Sequence, residues 1–488
     1  MCCLFVKIPL TTGKNKRTMF RQLFEGDKVE KVRKSRVEIN MTEGGLFGKI
    51  VAFTLPVMLS GILQLLFNAA DMAVVGQFVS DQALAAVGST NSLVNLVLNL
   101  FMGMSVGTGV VMSRCYGAKN KEYGEKVLHT SLPVAFISGI VVTIIGVSCC
   151  RQLLELMGSP DNVIDLSTEY LTIYFLGAPM NLVYNFGAAV MRSTGDSKRP
   201  LLYLTIAGVI NIIVNIISVV VFKMGVAGVA YATIASQTIS AVMVLFALRR
   251  KDGFVQFSWK KLRINKRALG EIVRIGVPSG IQGALFSISN MLIQSTINSF
   301  GDIAMAGNSV YSSLSGFIYT AMNSVSNAVI TAIGQNLGAR KLDRVKRAFW
   351  MCLGLTTAVG IIIGGLELLF ARPLISIYNS NPEVMEIALI GLIIINSTYF
   401  ICGAMEVVNF SLRGIGYSMT PMIIVLVGTC AFRIFWIYCI FPIDPTLQNI
   451  YLSYPVSWIV TLAVAFVTFL VLFRRLEKKM FQQTELQN

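Results

Sequence analysis

Asp71, Glu406 and Arg433 are ionisable residues set deep within long apolar runs. A charged side chain at the centre of a bilayer costs about 2.5–3.5 kcal/mol on insertion scales, so it persists mainly where it faces a cavity or a partner. Asp71 ends Asn68-Ala69-Ala70-Asp71, and Gln64, Asn68 and Asp71 follow one another at spacings of four and three. On a helix those three share one face. Glu406 precedes Arg413 by seven residues, roughly 10 Å at 1.5 Å per helical residue. A carboxyl so placed could bind a proton or Na⁺ as a cavity opens to one side and then the other, or meet a cationic substrate. The plainer alternatives are a solvated Asp71 at the membrane surface and a structural ion pair between Glu406 and Arg433. Such a pair could also break during a working cycle.

Amides form further polar stripes. Asn91, Asn95 and Asn99 recur every four residues, and Asn181 and Asn185 do the same. They could line a wet cavity or hold helices together by hydrogen bonds. Asn185 lies 221 residues before Glu406 (406 − 185), so one half offers an amide where the other offers a carboxylate. Glu367 and His129 read as interfacial residues. The nine Cys lack metal-ligand spacing with the single His, and a Ser-His-Asp set has only His129 to draw on. Gly103-Met104-Ser105-Val106-Gly107 reads as small-residue helix packing, and the phosphate loop of an ATP motor is missing. The sequence therefore gives little support to an enzyme and calls for no cofactor beyond a coupling ion, H⁺ or Na⁺.

These residues need membrane helices to position them. Of 488 residues 54% are hydrophobic and 14% charged, against about 25% charged in soluble domains. A span takes about 20 mostly apolar residues. Twelve are expected, near 48–72, 84–113, 127–150, 164–190, 200–222, 227–248, 270–297, 303–333, 347–370, 384–411, 421–441 and 450–473. Six precede the polar interval Arg249–Arg274 and six follow it. Met191-Arg192-Ser193-Thr194-Gly195-Asp196-Ser197-Lys198-Arg199-Pro200 returns as Leu412-Arg413-Gly414-Ile415-Gly416-Tyr417-Ser418-Met419-Thr420-Pro421 at an offset of 413 − 192 = 221, and Gly117-Ala118 returns as Gly338-Ala339 at the same offset. An even number of spans per half makes the repeats parallel, related by an axis along the membrane normal. The expected fold is all-α: two parallel six-helix bundles with pseudo-two-fold symmetry around a central cavity. The expected segments are an N-terminal arm (1–40), a first bundle (41–248), a linker (249–269), a second bundle (270–475) and a tail (476–488). Met41-Thr42-Glu43 reads as an alternative start. Pro56 and Pro278 lie at nearly matching positions, where a break in a span would point to a transport site.

The net charge of +16 could suggest nucleic acid, but Lys and Arg sit in the arm, in alternate loops and in the tail. That is the positive-inside pattern. It places a multi-pass protein in the cell (inner) membrane with both termini cytoplasmic. Its expected partners are lipids and small organic molecules, not nucleic acid, and it is expected to act as a monomer.

The chain resembles the multidrug and toxic compound extrusion (MATE) transporters over about Met41 to Arg475. The resemblance rests on Leu55-Pro56 with Asp71 and Gly76, on Tyr116-Gly117-Ala118 and Gln335-Asn336-Leu337-Gly338-Ala339, on Met191–Pro200, and on Leu412-Arg413-Gly414-Ile415-Gly416. It implies alternating-access export of organic, often cationic and aromatic, compounds in exchange for H⁺ or Na⁺, and it assigns ion coupling to Asp71. Some relatives have an acid in span seven, where this chain has Gln282–Ser287, or an Asp early in span ten, where it has Cys402. Two other readings remain. A flippase for a lipid-linked sugar or cell-wall precursor would favour a strongly cationic cavity. A membrane-embedded prenyl transferase would need clustered acids for Mg²⁺.

Overall fold

The computed structural model describes residues 38–156, 161–250 and 253–485. The basic arm expected over 1–40 lies outside the described residues except for its last three. The first half forms α1 (Leu46–Phe78), α2 (Asp81–Gly117), α3 (Lys121–Leu156), α4 (Asp161–Leu176), α5 (Ala178–Ser193), α6 (Lys198–Ile216) and α7 (Gly225–Leu248). The second forms α8 (Lys266–Asn298), α9 (Asp302–Gly338), α10 (Leu342–Leu369), the short α11 (Ala371–Tyr378), α12 (Pro382–Gly391), α13 (Tyr399–Gly414), α14 (Met419–Val425), α15 (Phe432–Phe435) and α16 (Leu447–Glu485). Wider π turns extend α6 and carry α12 towards α13 and α14 through α15.

Apolar sequence of this length folds as helices because lipid offers backbone groups no partner. Among the described residues nine helices are long and apolar enough to cross a membrane, and Pro382–Asn396 with Tyr399–Gly414, bent by 46°, makes a tenth. Two further rods complete six per half. One is α4 with α5, two 16-residue pieces meeting at Gly177. The other is α9, 37 residues long and rich in amides that include Asn308, Asn323, Asn327, Gln335 and Asn336. Pro56 and Pro278 sit inside the continuous helices α1 and α8 and break neither. The break comes instead at Gly177, just before Pro179.

The internal repeat extends to the backbone torsions. After α2 the chain turns through Lys119 at φ 54°, and after α9 through Arg340 at φ 57°. After α5 and α13 the matching turns use Gly195 at φ 90° and Gly416 at φ 95°, where glycine carries no Cβ penalty. The closing bonds match as well: Asp196 N donates to Met191 O at 3.0 Å, and Tyr417 N to Leu412 O at 2.9 Å.

The two halves meet at the end that bears the basic loops. α2 and α8 cross so closely that a Cβ on Gly103 would overlap the Gly280 backbone, which is the small-residue packing expected for Gly103–Gly107. The same is true of Gly117 against Gln335 and Gly338 against Arg114. One apolar core runs through both halves here, from Ile50 and Val110 to Ile272, Val329 and Val408. Away from the basic end a cluster around Ile297, Tyr311 and Ile395 belongs to the second half alone. Another, around Val75, Val87 and Val226, belongs to the first.

The linker between the halves lies across the start of α3. His129, expected at the membrane interface, is covered by this linker. It is 3% exposed, accepts from Ser258 N at 3.1 Å and stacks on Phe257. Thr130 Oγ1 accepts from Asn265 N at 3.0 Å.

Candidate functional site

A cavity of about 380 Å³ lies between the halves, within the usual range for small-molecule sites of roughly 300–1,000 Å³. The first half contributes Gln64 from α1, Asn99 from α2, and Asn185 and Arg192 from α5; the second contributes Asn323 and Asn327 from α9 and Arg413 from α13. Asn185 Nδ2 donates to the Asn181 carbonyl and side-chain oxygens at 2.9 and 2.8 Å. Asn327 makes the same two bonds back to Asn323, both 3.0 Å. In each case the amide is held by the preceding turn and keeps its own oxygen for the cavity.

The cavity has a floor at the basic end. Asn99 Nδ2 reaches Ser287 Oγ at 3.3 Å across the halves, on the side of the cavity away from the basic end. Among the described residues, every side-chain hydrogen bond joining the two halves lies between this level and the basic end. Arg114 donates to Gly414 O at 2.9 Å and Gln335 to Ser193 O at 3.0 Å. Residues 38–44 lie across this floor. Ile39 N donates to Gly195 O, Met41 N to Gln335 Oε1 at 2.9 Å, and Arg344 donates to Met41 O at 2.9 Å. Met41 is fully buried.

Asp71 turns inward within the first half, where it accepts from Asn215 Nδ2 on α6 at 2.7 Å. Asn215 is 1% exposed. Asp71 itself is half-buried. Of its expected companions, Gln64 reaches the cavity, while Asn68 is exposed. Asn95 is exposed too, and the side chain of Asn91 lies outside the described residues.

In the second half the structure corrects two expectations. Arg433 does not pair with Glu406. It is 0% exposed, donates to Asn290 Oδ1 at 2.8 Å and Ser457 Oγ at 3.1 Å, and lies 4.2 Å from the Tyr454 ring centroid. It does not line the cavity. Glu406 is half-buried, makes no ion pair among the described residues, and feels Arg413 as its nearby positive charge. Glu367, expected at the interface, is 8% exposed and accepts from Asn396 Nδ2 at 2.8 Å, while Ser315 donates to Asn396 Oδ1 at 2.7 Å.

Nothing in the sequence marks Asn215, Asn396, Asn323 and Asn327 as partners. A single amide in an apolar run has no spacing signature. Arg192 and Arg413 fall just past the spans expected at 164–190 and 384–411, yet they stand in the last turns of α5 and α13.

Comparison with known proteins gives these helices their family. The MatE family model matches the chain twice, over residues 56–217 and 278–439, an offset of 278 − 56 = 222. The chain belongs to the MATE family of efflux transporters. Members of this family are transporters, not enzymes. The probable multidrug resistance protein YoeA of Bacillus subtilis is 30% identical over 76% of this chain and 82% of its own length. A protein of Shewanella oneidensis named FAD transporter is 23% identical over 75% of this chain and 82% of its own. A MATE transporter solved in an outward-facing conformation superposes with a TM-score of 0.84 at 22% identity, covering 90% of this chain and 99% of that one.

Proposed function

We propose that this MATE protein is a secondary active multidrug exporter, taking organic compounds from the cytoplasm and releasing them outside in exchange for H⁺ or Na⁺. The observation that carries the reading is a cavity lined by both halves and floored by bonds that cross between them, together with a carboxyl held inside one half by Asn215. The basic end faces the cytoplasm by the positive-inside rule, so the floor is the cytoplasmic gate and both termini are cytoplasmic. Opening that gate breaks the bonds of residues 38–44 and of Gln335, and exposes the cavity to the cell interior. Asp71 couples the cycle because its partners change with the lobe around it. A bound H⁺ or Na⁺ would satisfy the carboxylate when Asn215 shifts. A ligand moves such an equilibrium only by binding the two states unequally.

Ethidium efflux from proteoliposomes under imposed pH or Na⁺ gradients tests both transport and coupling. Wild-type protein should export ethidium with one gradient and not the other. Asp71→Asn should abolish gradient-driven export while reaching the membrane in normal amount. Undiminished export by that variant would remove Asp71 from the mechanism.

A further inference from the structure

The two charged residues that line the central cavity are both arginines, and no carboxylate lines it. Arg192 and Arg413 are repeat partners (413 − 192 = 221) in the last turns of α5 and α13, so the repeat brings them to one level from opposite halves. Arg413 is 5% exposed, and its Nε has no hydrogen-bond partner. Neither guanidinium enters an ion pair or donates a side-chain hydrogen bond among the described residues. Glu406, two turns before Arg413, stays beyond ion-pair distance. Phe410 offers its ring face 4.6 Å away, which leaves the in-plane N–H donors free.

We propose that the floor of this cavity binds the anionic group of the transported molecule, a phosphate or carboxylate, between Arg192 and Arg413. The proposal rests on the export reading and adds amphiphiles with an anionic end to the organic compounds it covers. The helix C-termini at α5 and α13 each oppose the cations with about half a unit of negative charge. That is less than the two full guanidinium charges. It is weakened further because Gly195, Asp196, Gly416 and Tyr417 already donate to the last carbonyls. Arg114, bonded to Gly414 O, adds a third positive charge behind Arg413. A guanidinium presents a planar fork of donors that matches phosphate and carboxylate oxygens, and charge-assisted bonds of this kind are the strong ones. Above this floor the amides of Gln64, Asn185 and Asn327 offer neutral polar contacts for the rest of the molecule. The anionic end could belong to a soluble compound or to a lipid-linked phosphate.

Flavin mononucleotide and riboflavin share one ring system and differ by a phosphate, so they isolate the anionic group. Binding to full-length protein in phosphatidylcholine nanodiscs is read by flavin fluorescence anisotropy. FMN should bind at least tenfold tighter than riboflavin, and added salt should narrow the gap. Arg192→Gln and Arg413→Gln should each reduce the ratio, and Arg413→Lys should retain part of it. A native thermal unfolding midpoint verifies each variant. Competition with undecaprenyl phosphate separates the sources: displacement of FMN assigns the floor to a lipid-linked phosphate, and retention assigns it to soluble anions. Equal binding of FMN and riboflavin, no FMN binding, or an unchanged ratio in Arg192→Gln and Arg413→Gln overturns the proposal. If wild-type protein in proteoliposomes still exports ethidium after such a result, the export reading stands and the anion site alone falls.

Discussion

At the residue scale, the lipid-depth charges are managed by amides, not by opposite charges. Asn215 holds Asp71, Asn396 holds Glu367, and Asn290 with Ser457 holds Arg433. Removing one partner of a buried, charged hydrogen bond costs about 1.5–3 kcal/mol. Asn215→Ala should therefore alter the gradient dependence of transport at unchanged expression, a shift measurable as ethidium efflux against pH or Na⁺. Arg433→Ala removes two hydrogen bonds and an aromatic contact from a fully buried site. It should lower the thermal unfolding midpoint of detergent-solubilised protein by an amount equivalent to about 3 kcal/mol. The sequence marked Asp71, Glu406 and Arg433 as unusual because their charge is visible in an apolar run. It could not reveal their partners. Glu406 and Arg433 seemed an obvious pair because they were two opposite lone charges on neighbouring spans. In the structure Arg433 turns to α8 and α16, while Glu406 lies towards Arg413. Side-chain direction is set by the rotation of each helix in the packed bundle, which spacing along one helix does not fix.

At the element scale, the segment 38–44 and the α2–α8 crossing determine how the two halves hold together. Glu38 in that segment accepts from Phe254 N at 3.2 Å. Burial raises its pKa above the usual carboxylate value of 4.5, against the opposing effect of the Phe254 bond, with Asp196 adding to the rise and Arg199 countering it. A raised folded pKa means that the docked segment favours the protonated acid. Its docking is most stable below the undocked value and weakens as pH rises through the docked one. Glu38→Gln should thus tighten docking at neutral pH, seen as slower hydrogen exchange of the Met41 amide; faster exchange would contradict the sign. At the crossing, Gly280→Val leaves no room against the Leu100 backbone. It should prevent the halves from closing at the basic end and strongly reduce transport. Much of this scale was legible in the sequence. The Gly103–Gly107 spacing marked a small-residue helix contact, and the repeated Arg, Gly, Ser and Pro marked corresponding segments of the two halves. The docking of residues 38–44 was not legible, because it depends on Gln335, Asn336 and Arg344, some 300 residues away.

At the scale of the whole molecule, two halves share one core at the basic end and separate into independent cores towards the other. That arrangement suits rocking of one rigid half against the other about a cavity both halves line. It follows from duplication: parallel repeats with six spans each bring corresponding helices, and corresponding arginines, to the same level. The sequence carried this scale most clearly, since hydropathy, loop charge and one constant offset all report it. It carried the state of the gate least, because open and closed forms share the same local helices and differ only in contacts across the interface. The most direct test places cysteines at Ser193 and Gln335, which the structure joins across the floor, in a background without the native cysteines. A short bifunctional thiol-reactive reagent should then stop ethidium export, and reductive release of the bridge should restore it. Export that continues at full rate with the two halves bridged at the basic end would contradict alternating access through this gate.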